Sequence, residues 1–81
     1  MALVVRVEMR DHEGNPRSDL NIGEIGDPNP RVDYNHLARM LFKILQKATS
    51  TPPYSIHFLV GDKEIGSWSL PKEHADEHPS P

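Results

Sequence analysis

The stretch TPPYSIHFLVGDKEIGSWSLP, from Thr51 to Pro71, predicts a β-hairpin bounded by prolines. Apolar side chains alternate along its first arm, and a period of two residues is typical of a half-buried strand. Glycine and aspartate in Gly61-Asp62-Lys63 favour a tight turn. One side of the first arm carries Tyr54, Ile56, Phe58 and Val60, and beyond the turn Ile65 alternates with Gly66, Trp68 and Leu70.

The segment before the hairpin predicts an amphipathic helix from Tyr34 to about Ala48. Asp33 supplies a carboxylate for the N-cap, and Pro52 and Pro53 follow its end. At about 100° per residue, one arc of about 120° predicts the core-facing stripe. That stripe contains Tyr34, Leu37, Ala38, Leu41, Ile44, Leu45 and Ala48, with Met40 and Phe42 on its two flanks.

A second pair of strands is predicted before the helix. From Leu3 to Met9 apolar side chains alternate with others, which indicates a strand. A polar turn follows, and the extended pattern then resumes more weakly from Leu20 to Ile25, interrupted by Gly23. The prolines of residues 26–30 make that segment a linker.

This order predicts an α+β fold. The elements follow as ββαββ, which suits a four-stranded, mostly antiparallel sheet with one amphipathic helix packed on one face. Residues 1–71 form the single domain. The tail, residues 72–81, has no large apolar side chain and is predicted to be disordered.

A single helix covers a single face of the sheet, so the other face is predicted to expose an apolar patch. If the strands alternate regularly, that patch contains Val4, Ile25, Leu59, Trp68 and Leu70. Dimerisation through this face or through edge strands would bury the patch and enlarge a thin core. The alternative is a monomer in which Trp68 packs under the edge of the helix.

Composition narrows the class of protein. The 81 residues contain no cysteine, which excludes disulfides and thiolate metal sites, and the formal net charge of −3 argues weakly against a general nucleic-acid binder. The sequence lacks a signal-peptide pattern and an apolar run of membrane-spanning length, so we expect a soluble, cytoplasmic protein that contacts no membrane.

The charge is unevenly distributed. Residues 31–47 carry four cations against one carboxylate, a net +3, while the remainder carries −6. A basic helix face formed by Arg39, Lys43 and Lys47 therefore leaves open a nucleic-acid-associated regulator, such as a small phage-type inhibitor. The simpler interpretation is that these side chains solvate the helix surface.

No catalytic, cofactor or metal motif is present, so no such residues are assigned and no enzyme activity is expected. The five histidines are the candidates for metal binding or acid–base chemistry. His74 and His78 have helical metal-ligand spacing but lie in the predicted tail, and His12 and His36 fall on predicted surface positions. His57 lies mid-strand among apolar neighbours, where a general base would need a pocket and an acid such as Glu24 or Glu64.

The leading hypothesis is a small, non-enzymatic protein-interaction module that acts through a sheet face, most simply as a homodimer. The predicted apolar anchor and the predicted second contact face together comprise Leu59, Trp68, Leu70, His57, Arg39, Phe42 and Lys43.

Overall fold

A computed structural model describes residues 3–20 and 23–70 of the chain. The prediction for the tail, with its His74 and His78, lies outside these residues. The described chain forms strand β1 (Val5–Arg10), a 3-10 turn (Ser18–Leu20), strand β2 (Gly23–Gly26), helix α1 (Tyr34–Ala48), strand β3 (Ser55–Val60) and strand β4 (Lys63–Ser69).

The four strands form one sheet in the order β2-β1-β3-β4, and every neighbouring pair is antiparallel. The predicted α+β class and the predicted hairpin of β3 and β4 are confirmed. The first strand pairs with β3 along its whole length, from Val5 opposite Val60 to Arg10 opposite Ser55. The strands β1 and β3 are therefore central, and β2 and β4 are the edges.

The helix begins and ends where the sequence predicts. The Asp33 carboxylate accepts hydrogen bonds from the backbone N–H groups of Asn35 and His36, at 3.1 and 3.2 Å. These bonds satisfy amide groups that have no partner within the first turn of a helix. At the other end, the Thr49 N–H donates to the Leu45 carbonyl at 2.9 Å, and extended backbone follows.

The helix does not lie over the middle of the sheet. It packs mainly on β3 and β4. Its first turn rests on Gly66 of β4, where a Cβ atom would lie 2.7 Å from the carbonyl carbon of Tyr34 and 2.9 Å from the nitrogen of Asn35. Only glycine permits so close an approach. The half of the sheet formed by β1 and β2 is consequently less covered on the helix side.

The core lies between α1 and the sheet. Val5, Val7 and Met9 of β1 face the helix, as their alternation predicts, and all are buried. The buried set is Val5, Val7, Met9, Tyr34, Ala38, Phe42, Ile56 and Phe58, and the partly buried side chains packed against it include Ile65, Trp68 and Leu70.

Trp68 is on the helix side, so its predicted place on the opposite face is wrong. A regular hairpin would set Phe58 opposite Ile65 and Ser55 opposite Trp68. Instead Phe58 pairs with Gly66 and the next residue pairs with Glu64, which leaves Ile65 as an extra residue. Such a bulge shifts every later side chain of β4 to the other face.

A second bulge, in β2, makes the predicted face of Ile25 wrong as well. The predicted face of Leu70 is wrong for the same reason as that of Trp68. In β2, Val5 pairs with Gly26 and Arg6 with Glu24, so Ile25 is an extra residue. Its side chain lies on the helix side beside Val7. Leu70 packs against the core. The predicted apolar patch on the opposite face therefore does not form.

Candidate protein-binding groove

An apolar groove opens between α1 and the β1–β2 half of the sheet, on the helix side. We call it the helix–β2 groove. It has a volume of about 300 Å³, and its surface is almost entirely apolar. Seven side chains line it: Val7, Ile25, Leu37, Met40, Leu41, Ile44 and Phe58.

The groove exists because the apolar surface of α1 is wider than the contact that α1 makes. Tyr34, Ala38 and Phe42 are the buried residues of the helix. Leu37 and Ile44 point about 110° around the helix from the centre of that buried side. Their exposures are 37% and 60%, and that of Met40 is 44%. The predicted core stripe is therefore corrected: its Leu37 and Ile44 face the groove, and the predicted flanking residue Phe42 is core.

The wall opposite the helix is short. Ile25 is 46% exposed, although it lies beside the buried Val7. It is the extra residue of the β2 bulge, so the bulge itself brings an isoleucine to this wall. Side chains from four elements, α1, β1, β2 and β3, thus form one continuous apolar surface. Contiguous exposed apolar surface of this kind is typical of interaction sites.

Cationic side chains flank the groove on the helix side. On the helix, Lys47 follows the groove residues at about 70° around the axis, and Lys43 lies further round at about 110°. On the strand side, Glu24 pairs with Arg6 and therefore lies on the opposite face of the sheet. The groove therefore has a basic margin along α1.

The edge of β4 is partly blocked against strand pairing. The Ser67 N–H donates to the Asn35 side-chain carbonyl at 2.8 Å. A residue of α1 thus occupies a donor that an incoming strand would use. At the other edge, β2 spans only Gly23–Gly26, and both of those glycines have positive φ angles, 86° and 116°. Such a short and irregular edge is a poor template for another strand.

The sheet face away from α1 is polar in the described residues. Arg10 donates through Nε to the Glu8 carboxylate at 3.0 Å. Arg6 donates to the Gly61 carbonyl at 3.2 Å. Leu59, which pairs with Arg6 and Glu64, lies on this face as predicted but is only 7% exposed. This face offers a partner a charged surface with little apolar area.

His57 lies in a hydrogen-bonded chain on that polar face. Its Nδ1 is 2.7 Å from the Glu64 carboxylate, and its Nε2 is 2.8 Å from the Ser55 hydroxyl. The hydrogen bond with His57 lowers the pKa of the Glu64 carboxyl below its ordinary value, with the partial burial of Glu64 acting in the opposite direction. Glu24 and Glu64 were the two predicted acids, and Glu64 is the one that contacts His57.

The order serine, histidine, glutamate is that of a nucleophile, base and acid, but catalysis also requires substrate access and stabilisation of an oxyanion. Ser55 is 6% exposed and lies in a central strand, paired on both sides. The helix–β2 groove lies on the other face of the sheet. The arrangement joins neighbouring strands and satisfies the polar atoms of a half-buried histidine.

The predicted interaction residues do not form one surface. Leu59 and His57 lie on the polar face, whereas Trp68 and Leu70 pack against the core. Phe42 is 3% exposed, so it presents almost no surface to a partner. Arg39 and Lys43 are exposed on α1. Arg39 points about 150° away from the groove around the helix axis.

The groove is not predicted from the sequence, because Leu37 and Ile44 fall within the predicted core stripe of α1. A signal was present in the helix. Its apolar residues, with Met40 and Phe42 included, cover far more than the arc that one contact buries. Two adjacent apolar stripes predict two contacts, and the sheet supplies only one.

Neither a metal-ligand cluster nor a membrane-spanning helix is found in the described residues. In residues 3–20 and 23–70, no three histidine, cysteine, aspartate or glutamate side chains are grouped so that they could hold a metal ion. Over the same ranges, no helix has both the length and the apolar composition needed to cross a bilayer.

Comparison with known proteins finds no family model that matches the chain, no significantly similar curated protein and no significantly similar solved structure.

Proposed function

We propose that the protein is a non-enzymatic protein-binding module and that the helix–β2 groove is its recognition surface. The observation that carries this proposal is the group of exposed apolar side chains around the groove: Ile25, Leu37, Met40 and Ile44 are 37–60% exposed, yet they adjoin the buried Val7 and Phe58. Burying them against a partner removes apolar surface from water, at about 25 cal/mol per Å².

The shape of the groove favours an amphipathic helix as the occupant. The long wall of the groove is itself a helix, and Leu37, Met40 and Ile44 follow at spacings of three and four residues. A second helix laid beside it presents apolar anchors at the same spacings. A β-strand is a poorer fit, because the groove exposes side chains rather than the backbone donors of a sheet edge.

The basic margin of the groove along α1 favours a particular chemistry in that helix. Lys47 on the helix margin favours a carboxylate on the partner, near the C-terminal end of α1. The partner is therefore a protein helix with an apolar stripe and an acidic group beside it. A homodimer in the cytoplasm is the simplest form of this proposal.

The groove can be tested with a probe peptide. The probe is a synthetic amphipathic helical peptide with leucine at positions i, i+3 and i+7 and glutamate beside that stripe. Its titration into the ¹⁵N-labelled protein should shift the amide signals of Val7, Ile25, Leu37 and Ile44. Ile44→Gln should weaken the binding about tenfold, which corresponds to about 1.4 kcal/mol.

Arg39→Gln is the matched control, because it removes a long side chain from the opposite side of the same helix. It should change the affinity less than about twofold, since exposed charges far from a contact contribute little. The groove is not the recognition surface if the shifts instead centre on His57 and Glu64. The same conclusion follows if no shift occurs with peptide at about 1 mM, a concentration that detects binding free energies as weak as about 4 kcal/mol.

A further inference from the structure

We propose that the occupant of the helix–β2 groove is helix α1 of a second copy, laid antiparallel across a twofold axis that passes between Met40 and Leu41. This inference rests on the proposed function and names its partner. The groove then forms an isologous interface, in which the same surface of both copies makes the contact.

The apolar stripe of α1 is self-complementary in this arrangement. A twofold axis between Met40 and Leu41 sets Leu37 opposite Ile44 of the partner subunit, and Met40 opposite Leu41 of the partner subunit. Because Leu37 and Ile44 are equally far from the axis, each apolar side chain meets an apolar side chain. Each copy thereby contributes the stripe that the other copy's groove requires.

The charges of α1 favour the antiparallel direction over the parallel one. In the antiparallel pair, Lys47 lies beside the beginning of the partner helix, where the cap Asp33 of the partner subunit carries a carboxylate. In a parallel pair, Lys47 would instead lie beside the C-terminal end of the partner helix, where α1 carries no carboxylate. Antiparallel helix dipoles also attract.

The other surfaces that could join two copies are less suitable. The far face of the sheet is a network of charged and hydrogen-bonded side chains in which Leu59 is 7% exposed. Asn35 occupies a donor of the β4 edge, and β2 is short with two glycines of positive φ. Compared with these surfaces, the groove combines exposed apolar side chains with a wall that is itself a helix.

Cysteine cross-linking tests the register directly, because the chain has no cysteine of its own. A disulfide requires Cα atoms within about 7 Å. Across the proposed axis, the two copies of residue 40 are offset by only about 1.5 Å along the helices, whereas the two copies of residue 44 are offset by about 10.5 Å. Met40→Cys should therefore form a disulfide-linked dimer under mild oxidation.

Leu37→Cys and Ile44→Cys supply the discriminating comparison. Each variant alone should remain largely uncross-linked, while an equal mixture of the two should give a heterodimer, because residue 37 faces residue 44 of the partner subunit. Arg39→Cys is the control on the opposite side of α1, and it should not cross-link. Sedimentation at rising protein concentration should show a dimer for the parent chain and a weaker one for Ile44→Gln.

Several outcomes would overturn this inference. Cross-linking of Ile44→Cys alone, with no mixed disulfide between residues 37 and 44 in the mixture, would show a parallel pair. A dimer in which none of these variants cross-links would place the interface elsewhere. A chain that remains monomeric by sedimentation, while the probe peptide still shifts the groove signals, would refute the second copy as occupant and leave the proposed function standing.

Discussion

The rings of Phe42 and Trp68 lie 4.5 Å apart between centroids, inclined at 44°. This contact joins the middle of α1 to the edge strand β4. It follows from the bulge at Ile65, which turns Trp68 toward the helix. Aromatic pairs at this distance contribute about 0.5–1.5 kcal/mol beyond the burial of their area. The indole therefore stabilises the fold, whereas a regular hairpin would have offered it to a partner.

Trp68→Ala should lower the free energy of unfolding by about 3 kcal/mol, because it removes a large side chain from the core contact with Phe42. Urea denaturation followed by circular dichroism measures this change. Ser69→Ala, at the exposed neighbouring position, should unfold within about 0.5 kcal/mol of the parent. A Trp68→Ala chain as stable as the parent would show that the indole does not stabilise the core.

Gly66→Ala should destabilise the protein by about 1–3 kcal/mol, the usual cost of overpacking. The added methyl group would meet the backbone of Tyr34 and Asn35, with distances of 2.7 and 2.9 Å to the carbonyl carbon and the nitrogen. Backbone at a helix start cannot move aside as a flexible side chain can. Thermal unfolding against Ser69→Ala tests this, and an unchanged melting temperature would mean that α1 can lift from the sheet at little cost.

The sequence predicted the fold because its strongest signals are local. The Asp33 cap, the prolines after α1 and the alternation of β1 each depend on a few neighbouring residues, and each is confirmed. The faces of β2 and β4 were harder to predict. A bulge adds one residue without a distinctive motif, and Ile25 and Ile65 look like ordinary strand residues.

The groove depends on a tertiary relationship that periodicity does not contain. The sequence shows which residues of α1 are apolar, but the position of α1 over the sheet decides which of them are buried. That position depends on Gly66, which admits the first turn of the helix onto β4. The glycine was visible in the sequence, whereas its contact with Tyr34 was not.

Asn35→Ala should make the edge strand β4 more prone to pair with strands of other molecules. The substitution removes the side-chain acceptor that lies 2.8 Å from the Ser67 nitrogen. The Ser67 amide should then exchange its hydrogen faster, and light scattering should detect more aggregation on heating. Asn35→Asp is the matched control, since it keeps an oxygen acceptor and places a favourable negative charge at the helix start. Equal exchange rates in the two variants would contradict this role of Asn35.

Glu64→Gln should change the response of stability to acid. The hydrogen bond with His57 lowers the pKa of Glu64 in the folded protein below its ordinary value of about 4.5. A lowered carboxyl pKa contributes stability above the unfolded pKa, and this contribution is lost as the pH falls through the folded pKa. The difference in unfolding free energy between parent and variant should therefore decrease as the pH falls below about 4.5.

This comparison isolates Glu64 because other acids remain in both proteins. Asp11 and Asp19 also have lowered pKa values, from backbone hydrogen bonds at Asp11 and from the Arg17 side chain at Asp19. Their contributions cancel when the variant is subtracted from the parent. Urea denaturation at a series of pH values supplies the curves. A difference that stays constant down to the acid limit would show that Glu64 gains nothing from its histidine in the folded state.

The basic face of α1 makes nucleic-acid binding a testable alternative to the groove. Arg39, Lys43 and Lys47 are all exposed and follow at spacings of four residues, so they form one row that drifts by about 80° around the helix. Each phosphate contact that they make would add about 0.9 to the slope of the logarithm of affinity against the logarithm of salt concentration. We expect binding to mixed-sequence DNA or RNA to be undetectable near physiological salt. Tight binding with a steep salt dependence, lost in an Arg39→Gln, Lys43→Gln double variant but kept in Ile44→Gln, would instead assign the function to this basic face and refute a function based on the groove.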